Sequence, residues 1–155
     1  MIKRIKYFAL VFIVAITLVW LLGTVPLNDE EGLYNPITDL IWCSNESSCL
    51  HELGHKLDRH AGWISHSERF GSAVEMYVFI EIYSESPPSR LVHRILSLPG
   101  TLRRSGITAD PQAEMYATIF ELSDGKVENM PEIFREFYDW DRVEIYLKIL
   151  QEQGK

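Results

Sequence analysis

Seventeen consecutive residues without a charge, Tyr7 to Gly23 (YFALVFIVAITLVWLLG), constrain this chain more than any other feature, and Thr24 and Val25 extend the run to nineteen before Pro26. A helix that crosses a bilayer needs about 20 such residues. The stretch therefore reads as a membrane-spanning signal-anchor helix over residues 7–25, with 1–6 as a short N-terminal tail. A cleaved secretion signal is the alternative, but its apolar region is typically only about 7–15 residues and ends in a small-residue cleavage site. This run ends in LLGTVP, without such a site.

Lys3, Arg4 and Lys6 precede the run, and Asp29, Glu30 and Glu31 follow it. Positive charge stays on the cytoplasmic side, which predicts a cytoplasmic N-terminus and an extracytoplasmic domain beyond Val25. With cleavage, that domain would be secreted. Beyond the three leading cations, 12 basic groups face 22 acidic ones, a formal charge of −10. That balance argues against nucleic acid or an anionic membrane surface as a partner. Cys43 and Cys49 are the only cysteines, six positions apart. In an oxidising compartment this spacing predicts a disulfide that staples the loop ahead of His51.

Residues 26–36 (PLNDEEGLYNP) read as a polar linker, and 37–155 as one domain. Ile37 to Cys43 predicts a short strand. Ser47 or Ser48 offers an N-cap for a helix running through CLHELGHKLDRHAG to about Gly62. The apolar run 72–83 is read as a helix, and Arg90 to Leu98 as a short amphipathic helix closed by Pro99-Gly100. Asp110 as cap, Pro111 at the first helical position and Gly125 beyond the end mark a further helix. Two more are expected over Pro131–Phe137 and Asp141–Gln151. The predicted fold class is mostly α, an α+β domain with a minimal sheet.

Within the capped segment, Cys49-Leu50-His51-Glu52-Leu53-Gly54-His55 contains H-E-x-x-H. Residues four apart share one helix face, so His51 and His55 can direct two imidazoles at one metal ion. Glu52 projects beside them, placed to take a proton from a water without being a ligand itself. The ion this pattern implies is Zn2+. A catalytic zinc has three protein ligands, and the motif supplies two. A metzincin would need Gly at position 58 and His at 61, where this chain has Asp58 and Ala61. Two glutamates compete for the third place. Glu75 lies twenty residues after His55, and Glu114 lies in the first turn of the helix that Asp110 caps.

HELGHKLD followed by AEMYATIFEL, a proline and the aromatic-rich MPEIFREFY resembles the catalytic domains of anthrax-lethal-factor-like gluzincins and the small minigluzincins. The likeness spans roughly residues 47–140. It implies a zincin-like helical domain in which Glu114 is the third ligand, with Tyr116, Ala117, Phe120 and Leu122 on the matching helix. It also implies that Asp58 orients a ligand imidazole. The chain departs from those relatives at Thr118, where they often place an acid, and at Ile107, where they tend to place a tyrosine that steadies the oxyanion. Tyr77, Tyr83, Tyr116 and His93 are the candidates left for that role. His60 and His66 are read as ordinary solvated or hydrogen-bonded histidines.

The leading functional expectation is a membrane-anchored zinc endopeptidase. Its partners would be a peptide or protein substrate near the membrane and, through residues 7–25, the bilayer itself. A non-catalytic, zinc-stabilised interaction module is the alternative. Glu52 discriminates the two, because a purely structural zinc gains little from a carboxylate that does not ligate it.

Overall fold

The N-terminus of the motif-bearing helix explains why the chain turns helical where it does. In the computed structural model, which describes residues 32–105 and 110–153 (the side chains of 99–105 and 153 aside), helix α1 spans Glu46–His60. Its cap is Asn45, not Ser47 or Ser48 as the sequence predicts. The Asn45 side chain accepts from the Ser48 amide at 2.9 Å while the Ser48 hydroxyl meets the Asn45 amide at 3.2 Å. This reciprocal box satisfies two backbone donors that would otherwise be orphaned. Leu50, Leu53, Gly54 and Leu57 form the buried stripe of α1, at the i, i+3, i+4, i+7 spacing of one helical face.

Ahead of α1 lies a two-stranded antiparallel hairpin, β1 (Leu33–Asn35) and β2 (Leu40–Trp42), with Tyr34 opposite Ile41. The strand expected over Ile37–Cys43 is thus shortened to its second half, and its partner comes from the stretch read as linker. Turn chemistry accounts for the difference. The Asn35 side chain accepts from the amides of Ile37 and Thr38 at 2.9 and 3.2 Å, and Asp39 sits at φ +58°. Asn and Asp tolerate that region and favour such turns. Asp39 then clamps the hairpin to α1. Its carboxylate receives Lys56 at 2.9 Å and His60 at 3.0 Å, and the Tyr34 hydroxyl donates to it at 2.9 Å. The Cys43–Cys49 disulfide joins the end of β2 to the first turn of α1, as the spacing predicts.

After α1 the chain passes through a 3-10 turn, Ile64–His66, into α2 (Glu68–Ile82), capped by Ser67. Helix α3 (Arg90–Ser105) continues through Pro99 and Gly100, where the sequence predicts an end. Leu91, Val92, Ile95 and Leu98 are buried along its first half. Helix α4 (Pro111–Leu122) begins as expected, with the Asp110 side chain accepting from the Gln112 amide at 2.9 Å. Residues 131–137 form only a single turn, α5 (Glu132–Arg135), and α6 (Trp140–Gln153) closes the described chain. The expected membrane helix 7–25 lies outside the described residues, and among those described no helix is long and apolar enough to cross a membrane.

Helix α4 is the centre of the domain. Tyr116, Ala117, Ile119 and Phe120 are all at most 1% exposed, and α1 and α3 both pack on this helix. Around it Phe70, Phe134, Phe137 and Tyr138 complete an aromatic core. Burying each large ring contributes about 1.5–3 kcal/mol. The polar tips are satisfied reciprocally: Tyr116 donates to the Phe137 carbonyl and Tyr138 to the Tyr116 carbonyl, each at 2.8 Å.

Candidate metal centre

On α1, His51 and His55 are one turn apart and their rings meet edge to face, with centroids 4.9 Å apart. They lie beside the buried leucine stripe, on the flank of α1 that meets α4. From α4, Glu114 reaches both. Its Oε2 is 3.2 Å from His51 Nε2 and its Oε1 is 3.3 Å from His55 Nε2. One donor atom from each of the three residues lies within 4.8 Å of the others, so His51, His55 and Glu114 form a group able to hold a metal ion. Among the described residues this group has three members.

The two imidazoles meet different oxygens of the same carboxylate, His51 at Oε2 and His55 at Oε1, so Glu114 bridges the pair. Two nitrogens and one carboxylate are also the donor set of a familiar class of catalytic zinc site.

Electrostatics tie the three side chains together. Burial works against charge on His51, but its hydrogen bonds to Glu114 and Glu121 prevail and raise its pKa to about 9. Burial likewise pushes Glu114 upward, and the hydrogen bonds from His51 and His55 reverse this, holding it at about 2. Glu52 behaves differently. Burial raises its pKa, and the neighbouring histidines oppose that only in part. The site thus holds one carboxylate tuned to stay ionised and a second that binds a proton more readily.

Glu52 does not join the ligand group. Its Oε2 accepts from the backbone N–H of Tyr34 at 2.7 Å. The main chain of β1 comes so near that a Cβ on Gly32 would stand 2.6 Å from Glu52 Cγ. A larger residue there would push the Glu52 side chain out of its place.

Glu121 is the residue that sequence reasoning missed. Its Oε2 is 3.1 Å from His51 Nδ1, and its Oε1 accepts from the Ser47 hydroxyl at 2.5 Å. Seven positions after Glu114, it returns to the same face of α4 two turns on, a spacing that was legible. Asp58, expected to orient an imidazole, does other work. It is fully buried, and its two oxygens accept from the Ser65 amide at 2.8 Å and the Ser65 hydroxyl at 2.7 Å, fixing the turn after α1. The imidazole-orienting acid is Glu121 instead, because α4 rather than the end of α1 faces His51 Nδ1.

The remaining candidates are elsewhere. Glu75 is exposed on α2 and outside the ligand group. The Tyr116 hydroxyl is spent in the core, Tyr77 bonds Ser89 at 3.1 Å, and Tyr83 is exposed. His93 is exposed on α3, and Ile107 lies outside the described residues. His60 bonds Asp39 and Tyr146, and His66 pairs with Asp110, in line with their ordinary reading. Comparison with protein-family models, with curated proteins and with solved structures gave no match.

Proposed function

We propose that this chain is a zinc-dependent endopeptidase of the gluzincin type, tethered to the outer face of a membrane through residues 7–25. The observation that carries the proposal is the convergence of His51, His55 and Glu114 from two helices, with an unligated carboxylate, Glu52, beside them. The likeness of HELGHKLD and AEMYATIFEL to lethal-factor-like domains and minigluzincins supports the same ligand set. A site meant only for structure closes with four protein ligands, whereas three leave room for substrate or water.

His51, His55 and Glu114 would hold the ion. Bound there, zinc supplies Lewis acidity toward a carbonyl oxygen and makes a water acidic near neutral pH. Glu121 holds the His51 ring through Nδ1, which leaves Nε2 directed at Glu114 and the ion. Glu52, held through Oε2 by the Tyr34 amide, would accept a proton from the attacking water. As the water oxygen bonds the carbonyl carbon and the C–N bond breaks, Glu52 passes that proton to the leaving nitrogen. The raised pKa of Glu52 suits a group that must both gain and lose a proton.

A zinc-stabilised interaction module is the second reading, favoured by the contact of the Tyr34 backbone with Glu52, which engages the carboxylate that catalysis would need. The deciding experiment measures zinc content of the full chain and hydrolysis of a mixed peptide library, for wild type and Glu52→Gln. The peptidase reading expects about one zinc per chain in both proteins and a loss of hydrolysis of about 100-fold or more in the variant. Zinc without hydrolysis in the wild type would leave the interaction module, and folded protein without zinc would end both.

A further inference from the structure

Helix α2 is apolar on two faces. Phe70, Ala73 and Val74 face the core, with Tyr77 and Val78 packed against it. The C-terminal half carries a second stripe that faces outward: Met76, Phe79, Ile80 and Tyr83 are 53, 59, 56 and 75% exposed. Their i, i+3, i+4, i+7 spacing places them on one line along the helix. The Phe79 and Tyr83 rings touch, with centroids 4.6 Å apart, and Ile82 flanks the line at 47% exposed. Isolated exposed apolar residues need no explanation, but a contiguous stripe with helical periodicity marks a surface that something covers.

The rest of the chain indicates what covers it. Only six residues, 26–31, separate the apolar run from Gly32, a reach of ~20 Å when fully extended. A domain of this size has a radius of gyration of ~14 Å and is wider than that tether is long. With residues 7–25 in a bilayer, the domain stays within ~20 Å of the membrane surface, where an apolar face can reach it. The run itself is a poor occupant of the stripe: as a helix its nineteen residues would extend ~28 Å, whereas Met76 to Tyr83 covers ~12 Å. Between Arg69 and Arg90 there is no basic residue, and Glu75, Glu81 and Glu85 are acidic. Contact would therefore rest on apolar burial at a zwitterionic surface, with Phe79 and Tyr83 at headgroup depth, where aromatic rings partition well.

We infer that the Met76–Phe79–Ile80–Tyr83 stripe of α2 lies in the interfacial layer of the bilayer that anchors the chain, as an in-plane second contact. The inference rests on residues 7–25 being an anchor, and it is independent of catalysis. Among the described residues both native cysteines are bonded to each other, so a single introduced thiol can carry a reporter. The full chain, reconstituted in phosphatidylcholine vesicles, would carry an environment-sensitive fluorophore on Tyr83→Cys or, as a control, on Val127→Cys in the loop after α4. Nitroxide-labelled lipid is expected to quench the label at 83 at least about threefold more than the label at 127. Adding Phe79→Asp should bring the label at 83 down to the control value. Quenching of the label at 83 by aqueous iodide and not by the lipid nitroxide would overturn the inference. So would protection from both quenchers with cross-linking between copies, which would assign the stripe to a second copy of the chain. Failure of the full chain to float with the vesicles would remove the anchor and the inference together.

Discussion

Gly54 of α1 and Ala117 of α4 meet so closely that a Cβ on Gly54 would lie 2.6 Å from Ala117 Cα. Three residues before each stand His51 and Glu114, whose side chains meet at 3.2 Å. The crossing of two small residues thus sets the separation of the ligands. Gly54→Ala forces the helices apart against backbone atoms, which cannot yield as a flexible side chain would. It is expected to destabilise the domain by about 1–3 kcal/mol and to weaken zinc binding as well. Urea unfolding and zinc titration check both effects; a variant as stable and as tight as wild type would show that the contact does not set the site.

Glu114→Gln removes the only carboxylate in the ligand group. Zinc affinity should fall by more than about 100-fold, beyond what loss of a supporting residue costs. Glu75→Gln, exposed on α2, should leave the metal content of the purified protein unchanged. Loss of zinc in the second variant alone would move the third ligand and undo the gluzincin reading.

Glu121→Gln keeps the size of the side chain but removes the charge opposite His51 Nδ1. A weakening of zinc binding by about 10–100-fold is expected, with the fold retained. Ser47→Ala, which loses the hydroxyl on the other oxygen of Glu121, should have a smaller effect in the same direction. Competition with a chelator of known affinity measures both, and an unchanged Glu121→Gln would return the orienting role to another residue.

The metal-free protein should lose stability on both sides of a plateau. His51 has its pKa raised from 6.5 to about 9, so its contribution is complete below 6.5 and is lost as pH rises through 9. Glu114 is lowered from 4.5 to about 2, so its contribution is complete above 4.5 and is lost as pH falls through 2. These two groups place the plateau at about pH 4.5–6.5. Zinc requires neutral imidazole, so its stabilising effect should run the other way and grow as pH rises toward about 9, where His51 gives up its proton. Unfolding curves with and without chelator across that range test the opposite slopes.

Much of the site was legible because its first half is local. His51, Glu52 and His55 occupy consecutive turns of one helix, and the i, i+4 rule gives their geometry from spacing alone. The helix of Glu114 was equally readable from Asp110, Pro111 and Gly125. What joins the two halves was not. Glu75 and Glu114 are equally plausible as distances along a chain, and only the resemblance separated them before the structure was known. Glu121 escaped notice because its partner is seventy residues away, although its place one face-repeat beyond Glu114 was in plain view.

The sequence by itself determined the chemistry and the local elements: a pair of imidazoles with an adjacent carboxylate, the capped helices, the disulfide and the outline of the apolar stripes. Tertiary structure decided which groups those elements bring together. It selected Glu114 through the Gly54–Ala117 crossing and assigned Asp58 to Ser65 and Glu121 to His51. It also laid β1 across Glu52 and left one apolar face of α2 uncovered by the rest of the described domain. The physical reason is range. Caps and helical periodicity act over three or four residues and are written in order along the chain. The approach of two helices depends on the size of side chains far apart in sequence, which becomes a distance only once the core has closed around α4.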